Sequence, residues 1–204
     1  IRGEAAHGGM PWNGNNAIVK AARFINLIDT ELRPKLDTRT HKYLPHSSIN
    51  VAMIKGGVKE NVVPEYVEIT LDRRIVPGET IDGAIEEIKQ ILDRLVAEDP
   101  FEYEFKHDYR SGYPMFTEPD SPLIQTMLKI KEELTGQPCE PTGYRQGCDA
   151  RYFSDWGIPI AIFGPSDPAV GHSPNERVSI AQMVEATKLY ALTAIRMLGV
   201  DEDS

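Results

Sequence analysis

The chain has 204 residues, 41% hydrophobic and 26% charged, with a formal net charge of −9, enough for one large soluble domain or two small ones. Acidity of this size disfavours nucleic-acid backbones and anionic membranes as partners. No apolar run approaches the roughly 18 residues that span a bilayer, and no segment reads as a signal peptide, so the expected compartment is the cytoplasm. Residues 1–110 hold 15 Lys and Arg against 18 Asp and Glu, and the remainder 7 against 13, so the second part carries most of the excess. Cys139 and Cys148 are expected to stay unpaired in such a chain.

Ile1 to Ala6 reads as the end of a strand. After Asn15-Asn16, which can cap, Ala17, Ile18, Ala21, Ala22, Ile25 and Ile28 recur at helical spacing. Residues 30–46 carry two prolines, mixed charges and no period, which predicts a loop. Ser48 to Ile54 reads as a strand ending before Gly56-Gly57, and Val67, Ile69 and Leu71 alternate with Glu68, Thr70 and Asp72 as a strand with one wet face. From Thr80, an N-cap, Ile81, Ala84, Ile85, Ile88, Ile91, Leu92 and Leu95 define an amphipathic helix. Phe101, Tyr103 and Phe105 then alternate with glutamates as a last strand. The order β-α-β-β-α-β is that of a ferredoxin-like, split βαβ domain: an antiparallel sheet with both helices on one face.

After about residue 110 the pattern changes. Ser121-Pro122 caps a helix through Leu123, Met127, Ile130 and Leu134 to Gly136. Ile158 to Phe163 is a continuous apolar run, which predicts a buried parallel strand. Ser179-x-x-Gln182 is a capping box that opens a helix ending at Gly199. These pieces read as the tail of an α/β domain, and one strand cannot make a sheet alone.

Two histidines stand apart. His7 lies in Ala6-His7-Gly8-Gly9-Met10-Pro11 and His172 in Gly171-His172-Ser173-Pro174-Asn175-Glu176. A histidine on a backbone that turns this sharply is oriented for chemistry rather than packed in a core. The chain has no His-x-Asp, His-Glu-x-x-His or Glu-Glu pair placed as metal ligands ahead of a third. His41, His46 and His107 lie in or beside polar loops and are expected to be solvated, as is the acidic tail Asp201-Glu202-Asp203. Trp12, beside Pro11, would either cover a cleft or pack on the first turn of the helix that follows.

Five segments in register carry a resemblance to a known family: Gly3 to Pro11 with Gly14-Asn15-Asn16-Ala17; Gly56-Gly57 with Asn61-Val62-Val63-Pro64; Asp72-Arg73-Arg74 with Pro77-Gly78; Asp149-Ala150-Arg151; and Gly171 to Glu176. The chain resembles the zinc-dependent deacylases and peptidases that include acetylornithine deacetylase, succinyl-diaminopimelate desuccinylase, aminoacylase and the glutamate carboxypeptidases. The resemblance implies that residues 1–110 are a lid and dimerisation domain. It also implies that residues 111–204 are the C-terminal segment of an α/β zinc-peptidase catalytic domain whose N-terminal half is absent, so the chain reads as an inactive piece of a larger hydrolase.

The implied parent is a dinuclear zinc hydrolase, with cobalt or manganese as possible substitutes, that cleaves the amide bond of N-acyl amino acids or short peptides bearing a free carboxylate. The bridged water would have its pKa lowered towards neutrality. Through the resemblance, His172 is the last metal ligand, with a surface loop histidine as its alternative. His7 is the lid histidine that stabilises the oxyanion in a partner's site, against a plain loop histidine. Asn61 and Arg74 contact the substrate carboxylate or the oxyanion; Arg74 could equally form a surface ion pair. Gly147 and Cys148 offer backbone contacts to substrate, since Cys148 replaces the small hydroxyl residue of relatives. Arg151 either binds substrate or holds its turn. Homodimerisation is expected through Ala17 to Ile28 and the neighbouring sheet edge. A carboxypeptidase or dipeptidase of the same family, and a non-catalytic dimerisation module, are the competing readings.

Overall fold

Asn16 starts the first helix by accepting hydrogen bonds at Oδ1 from the amides of Ile18 (2.9 Å) and Val19 (3.2 Å), two donors that a helix N-terminus otherwise leaves unpaired. The helix, α1 (Ala17–Leu27), buries Ala17, Ala21 and Phe24. In this computed structural model residues 1–108, 115–144, 148–166, 170–171 and 173–199 are described, apart from the side chains of Arg151, Ser154 and Asp155. They fall into two units, Ile1–Gly112 and Tyr113–Ser204.

The loop predicted from residue 30 is a continuation of the helix. A π-helical turn (Ile28–Leu32) leads into α2 (Arg33–Asp37). Phe24, Ile28, Leu32 and Leu36 form one ridge at four-residue spacing, all buried, and this ridge outweighs the sequence signal of Pro34. A wider turn before Pro34 accommodates a residue that has no amide hydrogen and crowds the carbonyl four positions back.

Strand β1 (Ser48–Gly56) pairs antiparallel with β2 (Val67–Arg74), with a register irregularity between Val51 and Met53. Directly paired residues share a face, so Ile49 and Val51 before the irregularity, and Ile54 and Gly56 after it, lie on the face of Arg73, Leu71, Ile69 and Val67. One extra residue, Ala52, switches the parity of the strand. It brings Gly56 so close to Val67 that a Cβ there would lie 2.5 Å from Val67 Cγ2.

Helix α3 (Ile81–Glu98) is capped by Thr80, whose Oγ1 accepts from the Gly83 amide at 3.0 Å. Its Ile88, Ile91, Leu92 and Leu95 join the α1–α2 ridge and Ile49 in one core, with Phe101, Tyr103 and Phe105 packed against it. Both helical segments therefore lie on one face of the sheet. The predicted first and last strands are extended but form no regular ladder. Ile1 and Val67 exchange backbone bonds at 3.0 Å, the Arg2 amide donates to Glu102 O at 2.7 Å, and isolated bridges join Arg2 to Tyr66 and Glu102. The Gly3 amide still donates to Glu65 O at 2.8 Å, but Glu4 exchanges backbone bonds with Asn15 (2.8 and 2.9 Å), which breaks the pairing with the 61–67 segment until Ala6 O accepts from the Val63 amide.

In the second unit, α4 (Pro122–Thr135) is capped by Ser121 and closes on Gly136 in the left-handed conformation that glycine reaches most cheaply. It packs against α5 (Ile180–Leu198) through Ile130 and Leu189, both fully buried, while Lys131 pairs with Glu185 and Arg196 with Glu133. The strand predicted over 158–163 is a correction: the segment forms no ladder among the described residues. Ile160 N–H instead donates to Thr117 Oγ1 at 2.8 Å, and Ile158 and Ile162 stay nearly half exposed. A strand needs a neighbour, and the described part of this unit offers none. The acidic tail lies outside the described residues. No described helix is long and apolar enough to cross a membrane.

Candidate functional site

The glycines around His7 bring two sequence-predicted residues together. The Gly8 amide donates to Asn61 O at 2.8 Å and the Val63 amide to Ala6 O at 2.8 Å, with a bridge between His7 and Val62. A Cβ on Gly8 would lie 2.9 Å from Asn61 C, so the close approach of the two loops depends on its absence. The His7 loop hairpins back through Gly14, where a Cβ would lie 2.8 Å from both Glu4 O and Ala6 Cβ. Asn15 Nδ2 ties the same loop to Pro100 O at 2.8 Å. His7 and Asn61 are thus both exposed and held from the backbone side. Trp12 does not pack on the first turn of α1: it is 76% exposed.

The His7 ring is itself bonded, with Nδ1 accepting from the Gly9 amide at 3.0 Å. A groove of about 610 Å³ runs beside these loops, lined by Gly8, Pro11, Ile18, Val58, Lys59 and Pro64 among others. Ile18 and Val19 of α1 and Met53 and Ile54 of β1 are also exposed.

Arg74 is not part of this constellation. It sits at the far end of β2, seven residues from Val67, or about 23 Å at strand rise, on the face opposite the helices. Its Nε lies 2.8 Å from Asp72 Oδ1 and its NH2 2.8 Å from Asp72 Oδ2. This is the surface ion pair that the sequence left open.

Its neighbour Arg73 points the other way, into a charged cluster that the sequence did not reveal. Glu79 accepts from Arg39 (2.8 Å), Arg73 (2.5 Å), the Val76 amide (2.9 Å) and Ser47 Oγ. Glu87 pairs with Arg39 and approaches Arg73 at 3.7 Å. Burial raises the Glu79 pKa, but the four donors outweigh it and hold the carboxyl at about 2. A pocket of about 440 Å³ opens beside it between Arg39, Thr80 and Glu87. The cluster could have been suspected only from Arg73 falling at an inward position of the β2 alternation.

In the second unit, Cys148 is partly buried and free, as is Cys139, and Cys148 precedes a 3-10 helix (Asp149–Trp156) that contains Arg151. Gly147 and His172 lie outside the described residues, as does the side chain of Arg151. Among the described residues, no three His, Cys, Asp or Glu side chains converge as a metal site requires.

A sheet with helices on one face, and two glycine-tightened loops presenting a histidine and an asparagine at its end, define a lid-type α/β domain. Residues 1–100 match the family described as the peptidase dimerisation domain of the M20 peptidases, and this part of the chain is such a domain. Over 98% of its length it is 26% identical to an acetylornithine deacetylase of Myxococcus xanthus, covering 51% of that protein. It is 27% identical to a succinyl-diaminopimelate desuccinylase of Nitrosomonas eutropha, covering 98% of this chain and 50% of that one. Its fold is shared with a tripeptidase from Staphylococcus aureus (TM-score 0.72, 20% identity, 97% of this chain and 49% of that one). The resemblance read from the five motifs is borne out, and the chain spans about half the length of the curated relatives it matches.

Proposed function

We propose that this chain supplies the lid, the dimer contact and the C-terminal catalytic segment of an M20 amidohydrolase that cleaves N-acyl amino acids of the acetyl or succinyl type. The observation that carries the reading is the His7–Asn61 juxtaposition, in which loops 54 residues apart in sequence are locked by the Gly8–Asn61 bond. In this reading His7 donates to the oxyanion of the tetrahedral intermediate, where one donor contributes about 10²- to 10³-fold in rate. Asn61 adds a second polar group on the same loop pair. Arg74, at the other end of β2, would exchange Asp72 for a carboxylate, which suits a guanidinium fork, on a substrate whose oxyanion is met by the His7 of a second copy. Gly147, Cys148 and Arg151 contact the substrate from the second unit.

The bond order of residues 101–105, 1–6, β2 and β1 supports the split βαβ reading of residues 1–110. The family implies a divalent metal. Two zinc ions would need ligands beyond those described here, with His172 as one of them, and would supply the activated water. Homodimerisation rests on the family match and on the exposed apolar residues Ile18 and Val19 of α1 and Met53 and Ile54 of the edge strand β1.

The test is made on the complete gene product with a panel of N-acetyl and N-succinyl amino acids and dipeptides. His7→Ala should lower kcat about 10²- to 10³-fold, and His172→Ala should lower metal content. Full activity in His7→Ala would overturn the oxyanion role, and a preference for dipeptides would favour the peptidase branch. The 204-residue chain alone should retain almost no zinc after dialysis; two equivalents would overturn the reading that ligands are missing from it.

A further inference from the structure

The geometry points to a positioning role for Gly9: its backbone amide fixes His7 as the Nε2–H tautomer, so that the ring presents a single, outward-facing hydrogen-bond donor. This rests on the reading of His7 as the oxyanion donor and adds the residue that prepares it.

A neutral imidazole carries one proton, and whichever nitrogen accepts a hydrogen bond cannot be the one that holds it. The Gly9 amide donates to Nδ1 at 3.0 Å, so Nδ1 keeps its lone pair and the proton resides on Nε2. The bond is local, but its frame is not. Met10 N–H donates to His7 O at 2.8 Å, closing the turn, while Gly8 N–H donates to Asn61 O at 2.8 Å. The amides of Gly8, Gly9 and Met10 are therefore all committed, and only that of Gly9 reaches the ring. Space also restricts this position: a Cβ on residue 9 would lie 3.1 Å from Nδ1 and 3.3 Å from Cε1, close enough to displace the ring from its bond. Gly8 and Gly9 thus have separate roles, the first holding the loop against Asn61 and the second setting the protonation pattern of the side chain. A donor whose proton is already in place needs no tautomer exchange when negative charge develops, which is what preorganisation of an oxyanion donor requires.

The test needs no catalysis. In a long-range ¹H–¹⁵N spectrum of the ¹⁵N-histidine-labelled chain under mildly basic conditions, His7, assigned by its loss in His7→Asn, should show one fully protonated ring nitrogen, Nε2, and one bare nitrogen, Nδ1. Gly9→Pro removes the amide hydrogen and should move both nitrogens towards the average of the two tautomers, with the Val62 and Val63 amides unshifted. An amide-to-ester replacement at residue 9, made by ligation, removes the same hydrogen without altering the backbone shape and should do likewise. Averaged nitrogens in the unaltered chain, a proton on Nδ1, or an unchanged spectrum in the ester would each overturn the proposal. In the complete gene product Gly9→Pro should lower kcat about 10- to 100-fold with KM unchanged and should cause no further loss in a His7→Ala background. A further loss there would overturn action through His7. If His7→Ala leaves kcat intact while the spectrum shows a single tautomer, the oxyanion reading fails and the tautomer assignment stands.

Discussion

Glu79 gathers four hydrogen-bond donors of the first unit on one carboxylate. Its carboxyl is held at about 2 against an ordinary 4.5, a difference equivalent to about 3 kcal/mol. Because the folded pKa is depressed, that contribution is complete above about pH 4.5 and disappears as the pH falls towards 2. Glu79→Gln keeps the shape and removes the charge. Arg73, whose side chain is 8% exposed, is then left with Glu87 at 3.7 Å as its nearest carboxylate, and a buried cation without a close partner is costly. The expected loss at neutral pH is about 2–3 kcal/mol, falling to roughly half of that near pH 3 and towards zero at about pH 2. With two units, a single unfolding transition is not assured, so the readout is amide exchange along Ile88 to Leu95, which opens only with the core of the first unit. A loss below about 0.5 kcal/mol at pH 7, or an equal loss at pH 7 and pH 3, would refute the reasoning.

Leu36→Ala should cost about 2–5 kcal/mol in the same exchange measurement, because Leu36 is fully buried at the end of the ridge; a loss under about 1 kcal/mol would mean that residues 33–37 do not pack as α2. Val19→Asp together with Ile54→Lys should convert a dimer to a monomer in sedimentation at micromolar concentration while leaving that exchange unchanged. A monomeric unaltered chain would count against the α1 and β1-edge contact. Amides of residues 121–198 should exchange faster than those of α3, since Ile180, Met183, Val184 and Ile195 on α5 are exposed; uniform protection would contradict this.

What was legible in the sequence divides along physical lines. The helices α1, α3, α4 and α5 announce themselves by periodicity and by side-chain caps at Asn16, Thr80, Ser121 and Ser179. The extension to Asp37 was hidden because Pro34 weighs heavily in a local reading, whereas the burial of Leu32 and Leu36 is a tertiary effect. The Ala52 bulge was invisible because either parity of Asn50 to Gly56 offers an apolar face, Met53 or Ile54, and only pairing with β2 decides. The run from Ile158 to Phe163 has the composition of a buried strand, but composition does not supply a neighbour. At the site, the motif placed His7 and Asn61 in one chemistry, and the structure adds the glycine contacts that make them neighbours. The Arg39–Arg73–Glu79–Glu87 cluster left no motif, since its members come from four separate segments.

His7 and Asn61 differ from that cluster in a way that bears on how variants are interpreted. Their side chains are exposed and are positioned by backbone bonds from Gly8, Val63 and Gly9, so truncating either removes little buried surface and leaves no buried polar group unpaired. Loss of activity in His7→Ala or Asn61→Ala would therefore report chemistry, not unfolding. The glycines behave oppositely. At Gly3, Gly8 and Gly14 a Cβ would lie 2.0–2.9 Å from backbone atoms of the facing segment, distances that force the loops apart. Substitutions there would abolish function by separating two intact side chains. The glycines fix the proximity of the two backbones, and this lets an exposed, mutable pair hold a fixed geometry on a domain whose buried core lies elsewhere.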